Sequence, residues 1–333
     1  MDGADKSPIG VLLLNLGGPD SLRAVKPFLY NLFSDRMIIR LGPAPLQKPV
    51  AWAISAWRAK TAKKAYALIG GKSPLAEYTL KQAAALEEAL KSHGEFRVSV
   101  AMRYWRPYMR DAVEEMRAKG IGKILALSLY PQWSLATTGS SVRQLNEDAL
   151  ALGVRVATIE RWCTHPLYIE ALADTIRAGM NFFASGGAGQ KKSFPRDVFL
   201  LFSAHGLPLK IAGSGDPYEQ DIRRTLDAVL KLLPPVEHGL SYQSRTGPVK
   251  WLSPYTDEML RQLAGRGIKK VLAVAVSFVS DHVETLYEID ILYRRLAEGL
   301  GIELKRAPAL NAHPKLIAAF REMVLEKKKE LGW

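Results

Sequence analysis

What most constrains the fold of this chain is an alternation of two periodicities. Short apolar runs of strand length, at 9–16, 96–104, 124–130, 198–203 and 271–277, are separated by stretches with helical spacing at 75–90, 111–119, 218–233 and 256–264. Strands joined through helices build βαβ units, whose strands run parallel. Runs that are apolar throughout, not at alternate positions, read as strands covered on both faces. The expectation is α/β, with parallel sheets flanked by helices.

A weak internal repeat adds to this. Residues 116–127 resemble 263–274: each is a helix end, a glycine (Gly120, Gly267) and a buried strand. The first run, ending in Gly17-Gly18-Pro19, likewise echoes the run ending in Gly206-Leu207-Pro208. Two echoes in the same order point to two similar α/β domains, with the boundary between 156 and 165. The Gly-rich stretch 184–193 follows an apparent helix and lacks a Gly-Lys-Ser/Thr ending. It is read as a surface loop, not a phosphate loop.

The 333 residues suffice for two domains, and 48% are hydrophobic, so each can bury a core. No apolar run approaches the ~20 residues of a spanning helix. Residues 1–6 carry no apolar signal region. The one cysteine, Cys163, excludes a disulfide framework and any cysteine-built metal site, and a reducing compartment fits. A net charge of +13 calls for an anionic partner. Zinc-finger spacing and aromatic RNA-binding signatures are absent, which weighs against nucleic acid. An acidic small molecule or an anionic membrane face fits better.

Chemistry concentrates where apolar runs break. The run 198–203 continues into Ala204-His205-Gly206-Leu207-Pro208, which puts a histidine at the carboxyl end of a strand. Open parallel sheets bind ligands there. Near neutral pH such an imidazole can accept a proton or hold a metal; equally, it can satisfy a loop hydrogen bond. The run 271–277 leads to Asp281, Glu284 and Glu288, spaced three and four apart along one helix face. In apolar surroundings (Phe278, Val283, Leu286, Tyr287) a carboxylate row can conduct a divalent cation or relay protons. On a solvated face it would do neither. His282 is placed to be oriented by Asp281. Gly17 and Gly18 let a ligand approach the backbone after the first run, but no GxGxxG fingerprint marks a nicotinamide site. Hydroxyls at 137–141 line a polar pocket or cap a helix. Segment 41–66 is apolar, carries Trp52 and Trp57, and runs into Arg58, Lys60, Lys63 and Lys64. That mixture suits a membrane interface or a helical lid over a pocket.

These segments resemble the ferrochelatase family. The resemblance lies in Leu201-Phe202-Ser203-Ala204-His205-Gly206-Leu207-Pro208 with Gly215-Asp216-Pro217-Tyr218, and in 14–19, 69–74, 102–104, 130–133, 137–141, 242–248, Trp251-Leu252 and 278–287. It implies two Rossmann-like, chelatase-type domains, each a parallel sheet flanked by helices, with a porphyrin cleft between them. The implied domains are 8–160 plus 312–333, with 41–66 as lid segment, and 161–311. The implied activity is insertion of ferrous iron into a porphyrin, the last step of haem synthesis, with iron as substrate and no permanently bound cofactor. His205 matches the family's proton acceptor or early iron ligand. Glu284 matches the glutamate facing it across the ring, and Asp281, His282 and Glu288 match its support and cation path. Metal contacts thus fall to His205, Glu284, Asp281 and Glu288. Porphyrin contacts fall to Leu16, Arg58, Ser73, Arg103, Tyr104, Tyr130, Trp251 and His282, with Arg58 and Ser73 at propionate positions.

Leu16 stands where one branch of the family has methionine and another tyrosine. An apolar residue there resembles the protoporphyrin-using branch, with iron insertion into coproporphyrin III as the alternative. A sirohydrochlorin-type cobalt chelatase would demand more basic residues around the pocket than Arg58 and Arg103. A non-catalytic porphyrin or haem carrier would not need His205 and Glu284 together. Leu135 occupies a position where cluster-binding members have cysteine, so no iron–sulfur cluster is expected. Leu292 occupies an often acidic position, which shortens the expected metal path. The expected setting is the cytoplasm, with peripheral contact to the inner face of the plasma membrane through 41–66. Oligomeric state stays open.

Overall fold

The computed structural model describes residues 8–183 and 197–333; the loop expected at 184–193 lies outside them. Among the described residues, β1 (Ile9–Asn15), β2 (Phe96–Met102), β3 (Lys123–Ser128) and β4 (Arg155–Ile159) form one sheet, in the order β2-β1-β3-β4. A second sheet contains β5 (Val198–His205), β6 (His238–Gln243), β7 (Lys270–Ala275) and β8 (Glu303–Arg306), in the order β6-β5-β7-β8. Every pairing is parallel. The chain divides into two units, one reaching to Trp162 and joined by Asn311–Trp333, the other Cys163–Leu310.

Composition explains which strands are central. In β1, Val11, Leu12, Leu13 and Leu14 are fully buried, because helices cover both faces. Leu12 lies opposite Ser99 on one side and Ala126 on the other. In β5, Leu201 lies between Gly239 and Ala273, small neighbours beside a large one. Each sheet has a core on one face, around Leu12, Ala126 and Leu145 in the first unit and Leu201, Ala273 and Leu260 in the second. The repeated helix–glycine–strand signal has a common geometry. Gly120 and Gly267 hold φ of 78° and 80°, a left-handed helix exit that favours glycine. The next residue in each, Ile121 or Ile268, donates its N–H back to Met116 O or Leu263 O. Helix Pro314–Leu331 belongs to the first unit. It buries Leu316, Phe320 and Val324, with Phe320 edge-on to Trp162 at 5.5 Å.

The strand order fixes where a site can form. It reverses between β1 and β3, and again between β5 and β7, so a crevice opens at the carboxyl ends of each pair. In both units the connection after the third strand in chain order contains a π-helical segment, Leu135–Gly139 in the first and Glu284–Tyr293 in the second. Such winding is rare and concentrates at functional sites.

Candidate active site

In the second unit, the ends of β5 and β7 meet at His205. Its backbone N–H donates to Ser277 Oγ at 2.8 Å, and its carbonyl accepts from the Tyr218 hydroxyl at 3.0 Å. The ring is 38% exposed, and Nδ1 lies 2.7 Å from Glu284 Oε2. That contact leaves no room for a ring between the two side chains, which corrects the expectation that Glu284 stands across the macrocycle from His205. The carboxylate is the more buried partner, 16% exposed, and it pairs directly with the partly exposed imidazole. His282 is buried; its Nδ1 donates to Ser280 O at 3.1 Å, which turns Nε2 toward Glu284 Oε1 at 3.8 Å. Phe278 packs on the His282 ring, with centroids 4.2 Å apart.

Two residues complete this cluster, Gln243 and Ser244, which lie in the resembling segment 242–248 but carry no assigned role in the sequence analysis. Both follow from the end of β6, some forty positions from Glu284, and no helical or strand spacing links them to it. Gln243 Nε2 donates to Glu284 O at 3.1 Å and approaches Glu288 Oε2 at 3.4 Å. Ser203 Oγ holds the same amide by donating to its Oε1 at 2.6 Å. Ser244 sits at φ 66°, an unfavourable conformation for serine. Its Oγ stands 2.6 Å from Oε2 of both Glu284 and Glu288. One hydroxyl proton serves one acceptor, so the second short contact requires a proton on a carboxyl. Glu288 carries it, because burial and then the charge of Glu284 push its pKa up to about 8. Burial also opposes charge on Glu284, but the His205 charge and hydrogen bond outweigh it and hold this carboxyl well below the usual range. Burial would likewise lower the His205 pKa, yet Glu284 wins and raises it. The site thus sets an imidazole that favours its proton against a carboxylate that favours its charge, beside an acid that holds its proton, with one serine linking the two carboxyl groups.

Asp281 does not join this cluster. Its Oδ1 lies 2.9 Å from Arg306 Nη1 and 3.0 Å from Thr285 Oγ1. The expected row of Asp281, Glu284 and Glu288 assumed a continuous helix, whereas Asp281 precedes the helix and turns to Arg306. Among the described residues, no group of three or more His, Cys, Asp and Glu side chains is arranged to hold a metal ion.

In the first unit, the strand-end network centres on Asp35, also unread in the sequence. Asp35 Oδ2 accepts from Arg103 Nη2 at 2.6 Å, the Tyr104 hydroxyl at 2.6 Å and Ser140 Oγ at 3.0 Å. Its Oδ1 accepts from Met37 N at 2.8 Å. Burial opposes the Asp35 charge, but these donors and Arg103 outweigh it and lower the pKa. Arg103 and Tyr104, expected on a pocket wall, are thus committed to Asp35, and Tyr104 is buried.

The other expected porphyrin contacts divide between the units. Leu16 is half-buried, and its carbonyl accepts from Tyr104 N at 2.9 Å. Ser73 is buried against the turn after β1, so that a Cβ on Gly18 would come within 2.4 Å of Ser73 Oγ. The same Oγ accepts from Leu75 N at 3.3 Å at the start of helix Leu75–Leu90. Arg58 is half-buried on helix Gln47–Leu68, and Tyr130 is half-buried just beyond β3. In the second unit, Trp251 packs beside Gly206 and donates Nε1–H to Thr246 O at 3.0 Å. Helix Gln47–Leu68 leaves Trp52 and Trp57 58% and 76% exposed. No described helix is long and apolar enough to cross a membrane.

Comparison with known proteins bears on this arrangement. The ferrochelatase family profile matches residues 8–328. A ferrochelatase from Geotalea uraniireducens is 49% identical over 317 residues, covering 94% of this chain and 96% of that protein. One from Gloeobacter violaceus is 45% identical over 326 residues, covering 96% and 97%. One from Aquifex aeolicus is 45% identical over 319 residues, covering 95% and 98%. Among solved structures, SirB from Bacillus subtilis with Fe3+ superposes with a TM-score of 0.54 at 14% identity over 97% of both chains. At that identity the likeness speaks for the fold alone.

Proposed function

The chain belongs to the ferrochelatase family, and so is a metal chelatase of haem synthesis; on that premise we propose that it inserts ferrous iron into protoporphyrin IX. The observation that carries the mechanistic part is the 2.7 Å pairing of His205 with Glu284 at a strand end. Metallation exchanges two pyrrole N–H protons for one divalent cation, so the site needs a base whose readiness follows the arrival of metal. The pair supplies one. While Glu284 is a free anion it keeps a proton on His205. A cation arriving at Glu284 cancels that charge and lowers the His205 pKa; the imidazolium then gives its proton to solvent, and the neutral imidazole can accept a pyrrole proton. Glu288, protonated at rest, releases its proton as a cation approaches, and Ser244 links it to Glu284. In this role Glu284 and Glu288 are the metal-facing carboxylates, while Asp281 acts from outside.

Arg58 is proposed to meet a propionate, and Leu16 to favour protoporphyrin through its apolar side chain. Arg103 and Tyr104 shape the pocket wall through Asp35 instead of reaching into it. No resident iron–sulfur cluster is proposed, since the sole cysteine, Cys163, is buried. Anaerobic insertion of ferrous iron into protoporphyrin IX and coproporphyrin III tests the substrate assignment. A kcat/KM higher for protoporphyrin is expected, and a preference for coproporphyrin would overturn it.

Exposed Trp52 and Trp57 beside Lys60, Lys63 and Lys64 support a peripheral contact with an anionic membrane face, within a cytoplasmic setting. Co-sedimentation with anionic vesicles should fall in Trp52→Ser/Trp57→Ser while Tm moves little; unchanged binding would remove the membrane contact.

A further inference from the structure

The ten-residue π-helix Glu284–Tyr293 needs an explanation, because long π runs are rare and must be held by their surroundings. The structure supplies a restraint from outside the helix. Arg306 ends β8, an edge strand whose register places it opposite Ala273 of the buried strand β7. Ala307 N donates to Ala273 O at 2.8 Å, so the backbone here is fixed to the sheet. From that anchor one guanidinium holds a residue before the π segment and a residue within it. Nε and Nη2 fork onto Asp290 Oδ1 and Oδ2 at 3.0 and 2.8 Å, and Nη1 meets Asp281 Oδ1 at 2.9 Å. Arg306 is 10% exposed, Asp281 12% and Asp290 23%. Asp281 in turn receives Thr285 Oγ1, a hydroxyl that also takes the His282 N–H at 3.0 Å.

We propose that Arg306 is a positioning residue that holds the π winding and thereby aims Glu284 and Glu288. Each residue advances about 100° in an α-helix and about 80° in an i→i+5 helix. Rewinding the six steps from Glu284 to Asp290 would therefore swing Asp290 by about 120° and break the fork. With the fork in place, both carboxylates stay within reach of Ser244, and Glu284 stays within reach of His205. Lysine cannot replace this grip, since an ammonium has no planar fork to span two carboxylates. The inference rests on the proposed part of Glu284 in metal insertion.

The test uses the full chain with Arg306→Lys and Asp290→Asn, measuring ferrous insertion into protoporphyrin, porphyrin affinity by fluorescence quenching, and Tm. Misaiming reacting groups by about 1 Å can cost about a hundredfold, so kcat should fall about ten- to a hundredfold in both variants. Porphyrin Kd should stay within about twofold, since Arg58 and Leu16, the porphyrin contacts proposed above, are untouched. Added methylguanidinium should raise the rate of Arg306→Ala several-fold by refilling the grip; if that variant fails to fold, Asp290→Asn carries the test. Unchanged kcat in Arg306→Lys and Asp290→Asn, or a loss shared equally by kcat and porphyrin affinity, overturns the positioning role. Absence of insertion by the wild-type protein would instead overturn the reading of the site itself.

Discussion

The two units share a strand order and a π-helical segment after the third strand, yet their strand-end networks are built to opposite ends. In the first unit, Asp35 gathers Arg103, Tyr104, Ser140 and the Met37 N–H around one carboxylate, and its pKa falls. Donors and charge are matched, and the result is a closed knot. In the second unit, two carboxylates share one serine in an unfavourable backbone conformation, and the Glu288 pKa rises to about 8. Here like charges are crowded and one acid is kept protonated. Such crowding costs stability, and it is the feature on which the proposed function rests.

Mutation should separate the two networks, with the largest effect in the first. Asp35→Ala strands the Arg103 guanidinium in a buried place, and loss of one partner from such a pair should cost about 3 kcal/mol of stability. Thermal or urea unfolding checks this; a change below about 0.5 kcal/mol would mean the knot is not structural. Glu284→Gln should leave the fold intact and lower kcat about a hundredfold, or about 2.7 kcal/mol. By NMR titration the His205 pKa, raised in the wild type, should fall once the Glu284 charge and hydrogen bond are gone, with Glu288 left as the group that still raises it. An unmoved His205 titration would break the claimed coupling.

The smallest effect concerns pH and should have opposite signs in the two units. Asp35, with a lowered pKa, contributes stability that is present above its ordinary range and lost as pH falls through its folded value. Glu288 behaves in reverse. Between its ordinary value of 4.5 and about 8 the unfolded chain has released this proton while the folded chain keeps it, so its contribution to stability falls as pH rises. Glu288→Gln should therefore flatten stability across that window. A variant whose stability follows the wild-type slope there would contradict the raised pKa.

Much of this contrast lies beyond sequence patterns, for physical reasons. The buried strands β1, β3, β5 and β7 are legible because their residues are almost all apolar. Edge strands β4, β6 and β8 are not legible, since Arg155, His238 and Glu303 begin short, partly exposed segments without a strand signal. His205 is legible because an apolar run breaks at it. Asp35, Gln243 and Ser244 reach their networks through tertiary contacts that no local spacing records. Asp281 fits the helical row by spacing alone, and only Arg306, twenty-five positions away, shows where its carboxylate goes.

The central claim is that the His205–Glu284 pair performs the proton work of metal insertion. Its most direct test is single-turnover insertion of ferrous iron into protoporphyrin by His205→Ala, with porphyrin binding measured on the same preparation. Loss of a positioned acid–base group should slow insertion by about 10²–10⁴-fold while porphyrin still binds. Insertion at the wild-type rate by a His205→Ala protein that binds porphyrin normally would contradict the account.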